Sequence, residues 1–383
     1  MIENAVELTE RSTLTEWERV GLQQVWNLAD GHSHFSLDVS AESAIAGMTR
    51  TFRSIDPRSQ DAYEARFIEA FFDISGQSVP ALRPFLHYSC SSTIDLAAKS
   101  LKASGINKVG VLTPTFDNIA QLTQRAGLQL RPIPESELCP VDSDCPSWLY
   151  DCDALFLVLP NNPTGWDPAQ QRIENLLGWL AVHRKPVVMD FSFRFYSALC
   201  SWDQYAFVSK VPNLEWIFIE DIGKTWPLAE MKVGVASTSA RFHRIMSDVT
   251  GELLLNVSPF VLEMLTHTIR SNSGSNQTAE IVERLQARRV VAENRRRLRS
   301  CIAPLAIELL SPMSTISVEW LRFTDRPGID AITDLLANGL AVLPGAPFFW
   351  NDRSLGSQNF RVALARDAAY FGEALRVLGR YMQ

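Results

Sequence analysis

The sequence predicts an α/β fold: a three-layer αβα body around a mostly parallel sheet, with a smaller second lobe. Three observations carry this. Five short runs, Val109–Leu112, Ala154–Leu159, Pro186–Met189, Trp216–Ile219 and Val233–Ala236, are apolar almost end to end, as strands covered on both faces must be. Helical patterns at Ser92–Ala103, Asn118–Ala126 and Pro168–Val182 stand between them, and such alternation builds parallel sheets. The 383 residues exceed what one minimal core organises.

The opening twenty residues carry charges throughout and lack an apolar signal core, and no run approaches the ~18 apolar residues of a membrane span. The expected setting is cytoplasmic, with no membrane partner. A net charge of −7 and the absence of a basic stripe argue against nucleic acid and accord with a cationic substrate. The six cysteines, Cys90, Cys139, Cys145, Cys152, Cys200 and Cys301, lack the close pairs of a zinc site and read as reduced thiols. The polar stretch Ser271–Asn276 and the charged helical segment Thr278–Ser300 mark a lobe boundary. The divisions expected are 1–45, a lid; 46–275, the large domain; and 276–383, the small domain, joined by part of the N-terminal segment.

Ligands of such sheets bind beyond the carboxyl ends of the strands, and the informative residues fall there. Tyr88 to Thr93 places hydroxyls at the start of a helix, which makes an anion site; ordinary N-capping is the plainer alternative and needs only one of them. Asn161 to Gly165 (NNPTG) forms a sharp turn after the second run, and Asn162 can offer its amide to a ligand oxygen. Asp190 ends a buried strand and needs a cationic neighbour, either a protonated ring nitrogen or a nearby arginine such as Arg194. Of the seven lysines, Lys224 is the one beyond the carboxyl end of a central strand, where a partly buried amine can form a Schiff base. Lys232 follows by eight residues and can meet a phosphate. Arg361, in Phe360–Arg366, suits a bidentate grip on a carboxylate, with a structural salt bridge the alternative for it and for Arg366.

Taken in order, Ser89, Cys90, Ser91, Phe116, Asn162, Asp190, Lys224, Lys232 and Arg361 resemble the pattern of the pyridoxal phosphate (PLP)-dependent class I/II aminotransferase family of fold type I. The resemblance covers roughly residues 80–370. It implies the fold type I architecture, with a smaller α+β domain, and PLP held on Lys224. It also implies Asp190 on the pyridine nitrogen, Phe116 stacked on the ring, and Ser89, Cys90, Ser91, Ser192, Asn162 and Lys232 around the cofactor. One departure is Phe193, where the family often has a tyrosine.

A closer likeness lies in Thr15-Glu16-Trp17-Glu18, Asn27 to His32, Pro114 to Ala120 and Ile219 to Pro227. These resemble PLP-dependent L-arginine oxidases of natural-product pathways, the MppP-type enzymes. The resemblance implies L-arginine and dioxygen as substrates, hydrogen peroxide as co-product and a homodimer. The product is 4-hydroxy-2-oxoarginine, 2-oxoarginine or a didehydro-imino compound. The N-terminal segment folds over the substrate; Glu18, Asp30 and Asp221, with Thr15, surround the guanidinium, while Asn162 and Arg361 contact the amino acid. His32 is the acid/base group. Thr15 and Glu18 also fit a capping box. His34 receives no role, and the pair His32/His34 without further ligands predicts no metal. The alternatives are an ordinary aminotransferase of a cationic or other amino acid, and a sensing module that binds PLP without turnover.

Overall fold

The computed structural model describes residues 12–36, 39–138, 146–228, 231–271 and 285–381. The chain enters through a helix, Leu14–Gly21, and a two-residue strand, β1 (Trp26–Asn27). The large sheet follows: β2 (Phe85–His87), β3 (Lys108–Thr113), β4 (Gln129–Pro134), β5 (Ala154–Val158), β6 (Val187–Asp190), β7 (Trp216–Asp221) and β8 (Gly234–Thr238). The lateral order is β2-β8-β7-β6-β5-β3-β4. All neighbours are parallel except β8, which runs antiparallel to both β7 and β2.

Each of the five apolar runs falls on one of these strands, with no run extending more than one residue beyond its strand. Their side chains alternate between two cores: Leu155 and Leu157 pack with Phe67, Phe71, Leu177 and Phe218, while Ala154, Phe156 and Val158 pack with Ile94, Leu101, Ile217 and Phe242. Burial on both faces explains the unbroken apolar runs. Two strands escape the sequence pattern. The strand β4 is half-buried and contains two prolines, and β2 is three residues long. The helices Cys90–Ala103, Asp117–Arg125 and Gln170–Val182 match the three helical patterns with ends displaced by one or two residues.

A second sheet, of order β12-β13-β10-β9, is antiparallel and contains β9 (Ile307–Leu309), β10 (Val318–Phe323), β12 (Leu343–Pro344) and β13 (Asn359–Ala363). Helices Gln286–Ile302, Gly328–Ala337 and Ala368–Tyr381 accompany it. Its core includes Leu14, Trp17, Leu28, Ala29 and Phe35, so the N-terminal segment shares the small lobe's interior. The segment is also stitched by backbone: β1 pairs in parallel with β11 (Leu340–Ala341), Leu28 N donates to Ala341 O at 2.8 Å, and Ala363 N to Leu28 O at 2.8 Å.

The helix Val39–Ala46 packs instead on the helix Pro259–Ser271, on the large-lobe side. We therefore propose the end of the small-lobe segment near Ser36, ahead of the position 45 expected from sequence. The proposed division after residue 275 lies outside the described residues, as does the start of the charged segment, whose described helix is Gln286–Ile302. Cys90, Cys152, Cys200 and Cys301 form no disulfide, while Cys139 and Cys145 lie outside the described residues. Among the described residues no helix is long and apolar enough to cross a membrane.

Candidate active site

A cavity of about 210 Å³ opens at the carboxyl rim of the large sheet, facing the small lobe. Its lining converges from distant parts of the chain: Thr15 and Glu18 from the first helix, His32, Ser89 to Ser91, Phe116, and Asn162; then Asp190, Ser192 and Phe193, Asp221 and Lys224, Lys232, and Arg361. Topology explains the convergence. Strands β2, β3, β5, β6 and β7 all end at this rim. Strand β8 runs the other way, so Lys232 reaches the rim just before β8 begins. At Gly234 a Cβ would lie 2.7 Å from Ser89 O and 3.0 Å from Cys90 N, so only glycine lets the start of β8 approach the head of helix Cys90–Ala103 this closely.

That head is an anion cradle. Ser89 caps the helix, its Oγ accepting from Ser92 N at 3.1 Å, and Asn118 Nδ2 donates to Ser91 Oγ at 2.8 Å. Early amides of a helix lack intrahelical partners and point outward, and Lys232 adds a positive charge beside them.

Asp190 is 4% exposed. One oxygen, Oδ1, accepts from Ser192 N at 2.8 Å and Ser192 Oγ at 2.5 Å; Oδ2 has only the Cys90 thiol at 3.8 Å. The arginine alternative is excluded: Arg194 donates through Nε to the Glu220 carboxylate at 2.9 and 3.0 Å, and pairs with Gln204. Burial pushes the Asp190 carboxyl up to about 6, against the Ser192 hydrogen bonds and with help from the Asp221 charge. A buried carboxylate in this state fits a protonated ring nitrogen in the cavity. Ser192 and Cys90, expected at the cofactor, thus also surround this carboxylate; burial and the neighbouring Asp190 and Asp221 charges hold the Cys90 thiol well above its ordinary value.

Lys224 presents its amine to the same cavity; a Cβ placed on Gly31 would come within 3.7 Å of its Nζ. Its backbone carbonyl is held by Tyr196 Oη at 2.9 Å and Ser33 Oγ at 2.8 Å. The Tyr196 phenol is therefore committed to the backbone, and Phe193 lines the wall without a hydroxyl. Asn162 and Asn161 divide their work. Asn161 is structural, joined to Pro114 O, Thr115 and Glu135, while Asn162 lines the cavity and accepts from Arg361 Nη1 at 3.2 Å.

Arg361 projects from the central strand β13 and is 1% exposed. It donates to Ala29 O at 2.5 Å and to Glu18 Oε1 at 3.3 Å, and its Nε is buried with no protein acceptor. Thr15 and Glu18 occupy one face of helix Leu14–Gly21, and Leu14, Trp17 and Gly21 are buried on the other. The capping box there is Thr13/Glu16, two residues earlier than Thr15/Glu18: Thr13 has the extended backbone of an N-cap, Glu16 Oε2 accepts from Thr13 N at 2.6 Å, and Thr13 Oγ1 accepts from Glu16 N at 3.2 Å. This frees Thr15 and Glu18 for the cavity.

Asp30 departs from the expected guanidinium cluster. Its Oδ1 meets His32 Nδ1 at 2.6 Å and its Oδ2 meets His34 Nε2 at 2.6 Å, so it stands behind His32 and off the cavity wall. Burial alone would raise its carboxyl; the bonds from both imidazoles and the charges of His32 and Lys224 hold it far below the ordinary range. The His32 ring is packed close to Gly223, where a Cβ would lie 2.9 Å from His32 Cδ2.

Three contributors carry no sequence signal of this role. Arg366 is fully buried and donates to the carbonyls of Asn27, Asp30 and His32, fixing the loop that carries His32. Asp117 accepts from Leu14 N at 3.0 Å and tethers the first helix. His34 completes the pair on Asp30.

The family model for aminotransferase class I and II matches residues 25–378. The solved structure of MppP soaked with the product 2-ketoarginine is 28% identical, with a TM-score of 0.83, covering 92% of this chain and 98% of that one. Aspartate aminotransferase from Thermus thermophilus with maleate shares the fold at a TM-score of 0.75 and 16% identity, covering 97% and 96%. Threonine-phosphate decarboxylase of Pseudomonas aeruginosa is 27% identical over 184 residues, 45% of this chain and 50% of that protein, so the match spans half of that relative. The anion cradle, the buried Asp190 and the Lys224 amine fit PLP, the cofactor of this group. The chain is a fold type I, PLP-dependent enzyme and belongs to the class I and II aminotransferase family.

Proposed function

We propose that this enzyme oxidises L-arginine with dioxygen, releasing hydrogen peroxide and 4-hydroxy-2-oxoarginine, 2-oxoarginine or a didehydro-imino product, as a step of natural-product biosynthesis. The observation that carries the reading is the N-terminal segment. It brings Thr15, Glu18 and His32 to one cavity with Asp221, Lys224 and Arg361. The likeness to MppP, whose structure was soaked with 2-ketoarginine, supports the same substrate class.

PLP supplies the electron sink that makes the substrate's α-proton acidic. Lys224 holds the cofactor and removes that proton as base. Arg361 grips the α-carboxylate in a buried, bidentate-capable setting. Glu18 and Asp221 present acceptors to the guanidinium, a planar donor fork that takes carboxylates well. His32 has Nδ1 engaged by an acceptor-only carboxylate, so Nδ1 carries the hydrogen and Nε2 is the acceptor available to a substrate proton or to an attacking water at the γ-carbon. Docking of the first helix excludes bulk water from these groups. The enzyme acts as a homodimer in this proposal, within the cytoplasm.

The test is incubation of the holoenzyme with arginine under air. Oxygen uptake, peroxide release and a product carrying labelled-water oxygen at the γ-carbon are the results expected of the hydroxylating route. The conventional aminotransferase is the second reading, favoured by the shared fold with aspartate aminotransferase. It predicts no oxygen uptake and a strict need for a 2-oxo acid.

A further inference from the structure

We propose that His34 is a positioning residue that acts on His32 through Asp30: two imidazoles share one buried carboxylate, and the proton state of the outer ring sets how firmly the inner ring holds its own proton. This rests on the reading of His32 as the acid/base group of the site.

The geometry is a clamp. His32 Nδ1 and His34 Nε2 each lie 2.6 Å from a different oxygen of Asp30. An ionised carboxylate only accepts, so both rings donate to it and neither passes a proton through it. Each imidazole is left with its second nitrogen outside the clamp: Nε2 of His32, whose ring lines the cavity, and Nδ1 of the more exposed His34. Side-chain exposure is 19% for His32 and 39% for His34, with Asp30 between them the least exposed at 11%. The outer ring therefore exchanges protons with water while the inner one meets substrate.

One negative charge now serves two potential imidazolium ions. The first proton taken up sees the whole carboxylate. The second sees a carboxylate already neutralised by the first, together with the repulsion of the first imidazolium across a short gap. Other charges surround the clamp: Asp221 and Glu18 line the cavity beside His32. Lys224 faces Asp30 from the turn after β7, and Arg361 and Arg366 face it from β13 and the residues beyond. Arg366 is spent on backbone carbonyls, and Asp367, on the same segment, accepts from Ser36 N at 2.8 Å.

The test is a titration of the ¹⁵N-histidine-labelled holoenzyme by NMR, in the wild type and in His34→Gln. The glutamine amide keeps a donor for Asp30 Oδ2 but takes up no proton. In the wild type we expect neutral His32 with hydrogen on Nδ1, neutral His34 with hydrogen on Nε2, and a His32 curve stretched into two steps. In His34→Gln the His32 curve becomes one step and moves to higher pH. The acid limb of the turnover profile follows the same displacement. Two independent one-proton curves in the wild type, or a His32 curve unchanged by His34→Gln, overturns the proposal. The wild-type curves alone decide if the variant does not fold. Failure of arginine oxidation with a two-step His32 curve sinks the functional reading and leaves the clamp intact.

Discussion

Asp190 and Asp117 are both buried carboxyls pushed up to about 6, and they differ in what they await. Asp190 faces the cofactor position. Its replacement in Asp190→Asn keeps the shape but cannot offset a positive ring nitrogen. We expect turnover to fall by roughly two to three orders of magnitude, with cofactor absorbance retained, measured by steady-state rates and visible spectra. Asp117 faces the helix it tethers. Burial raises its carboxyl from 3.8, only partly opposed by the Leu14 amide and the Arg353 charge. A raised carboxyl favours the folded state when protonated. Its contribution is complete below about pH 4 and is lost as pH rises through about 6. Asp117→Asn keeps an oxygen for Leu14 N, so the variant should equal the wild type near pH 4. Above about pH 7 it should exceed it by roughly 1–3 kcal/mol, read by urea denaturation at the two pH values. Legibility at this scale follows chain direction. Lys224, Asp190 and Asn162 stand at strand ends, and a strand end fixes where a side chain goes. Asp30 stands in a turn, where a single dihedral decides between the cavity and the two histidines. Arg366 works through carbonyls, which every sequence possesses.

The helix Leu14–Gly21 meets the cavity through Thr15 and Glu18 and the small lobe through Leu14 and Trp17. Its fixed start depends on the Thr13/Glu16 box. Thr13→Ala should weaken helix docking by about 1 kcal/mol, seen as faster amide exchange over residues 14–21 and a raised KM for arginine. The turn after β7 is equally constrained. Gly223→Ala places a methyl 2.9 Å from His32 Cδ2 and 3.2 Å from Asp221 Oδ1, so the imidazole must move. We expect loss of turnover with little change in cofactor absorbance, because Lys224 is held separately by Tyr196 and Ser33. The central strands and their helices were readable because doubly buried strands leave unbroken apolar runs. Strands β2 and β4 were not, since three residues or a proline-containing half-buried edge give no such run. Neither was the pairing of β1 with β11, two residues on each side.

At the scale of the whole molecule, the N-terminal segment is both lid and core. A truncation lacking residues 1–34 would remove Leu14, Trp17, Leu28 and Ala29 from the small-lobe interior, and each large apolar side chain is worth about 1.5–3 kcal/mol when buried. Were the segment a lid alone, its removal would leave the rest of the fold intact. The structure predicts instead a marked fall in Tm and dye binding to exposed apolar surface. An unchanged Tm in the truncated protein would show that the segment is not part of the core. Substitutions on the cavity face, such as Glu18→Gln, are therefore the sound probe of the lid's chemical role.

Residues 15–32 and 361–366, far apart in sequence, meet at the reacting groups, and this dictates an order of events during synthesis. By the time residue 238 has left the ribosome, every strand and side chain of the PLP cradle exists. The amino-acid half does not: residues 27–32 have been made, yet the strand carrying Arg361 and the arginine that clasps their carbonyls come over a hundred residues later. The side chains that face the cofactor are thus all made before those that complete the amino-acid half, and a carbanion-generating site stays unarmed until Arg361 and Arg366 have been added.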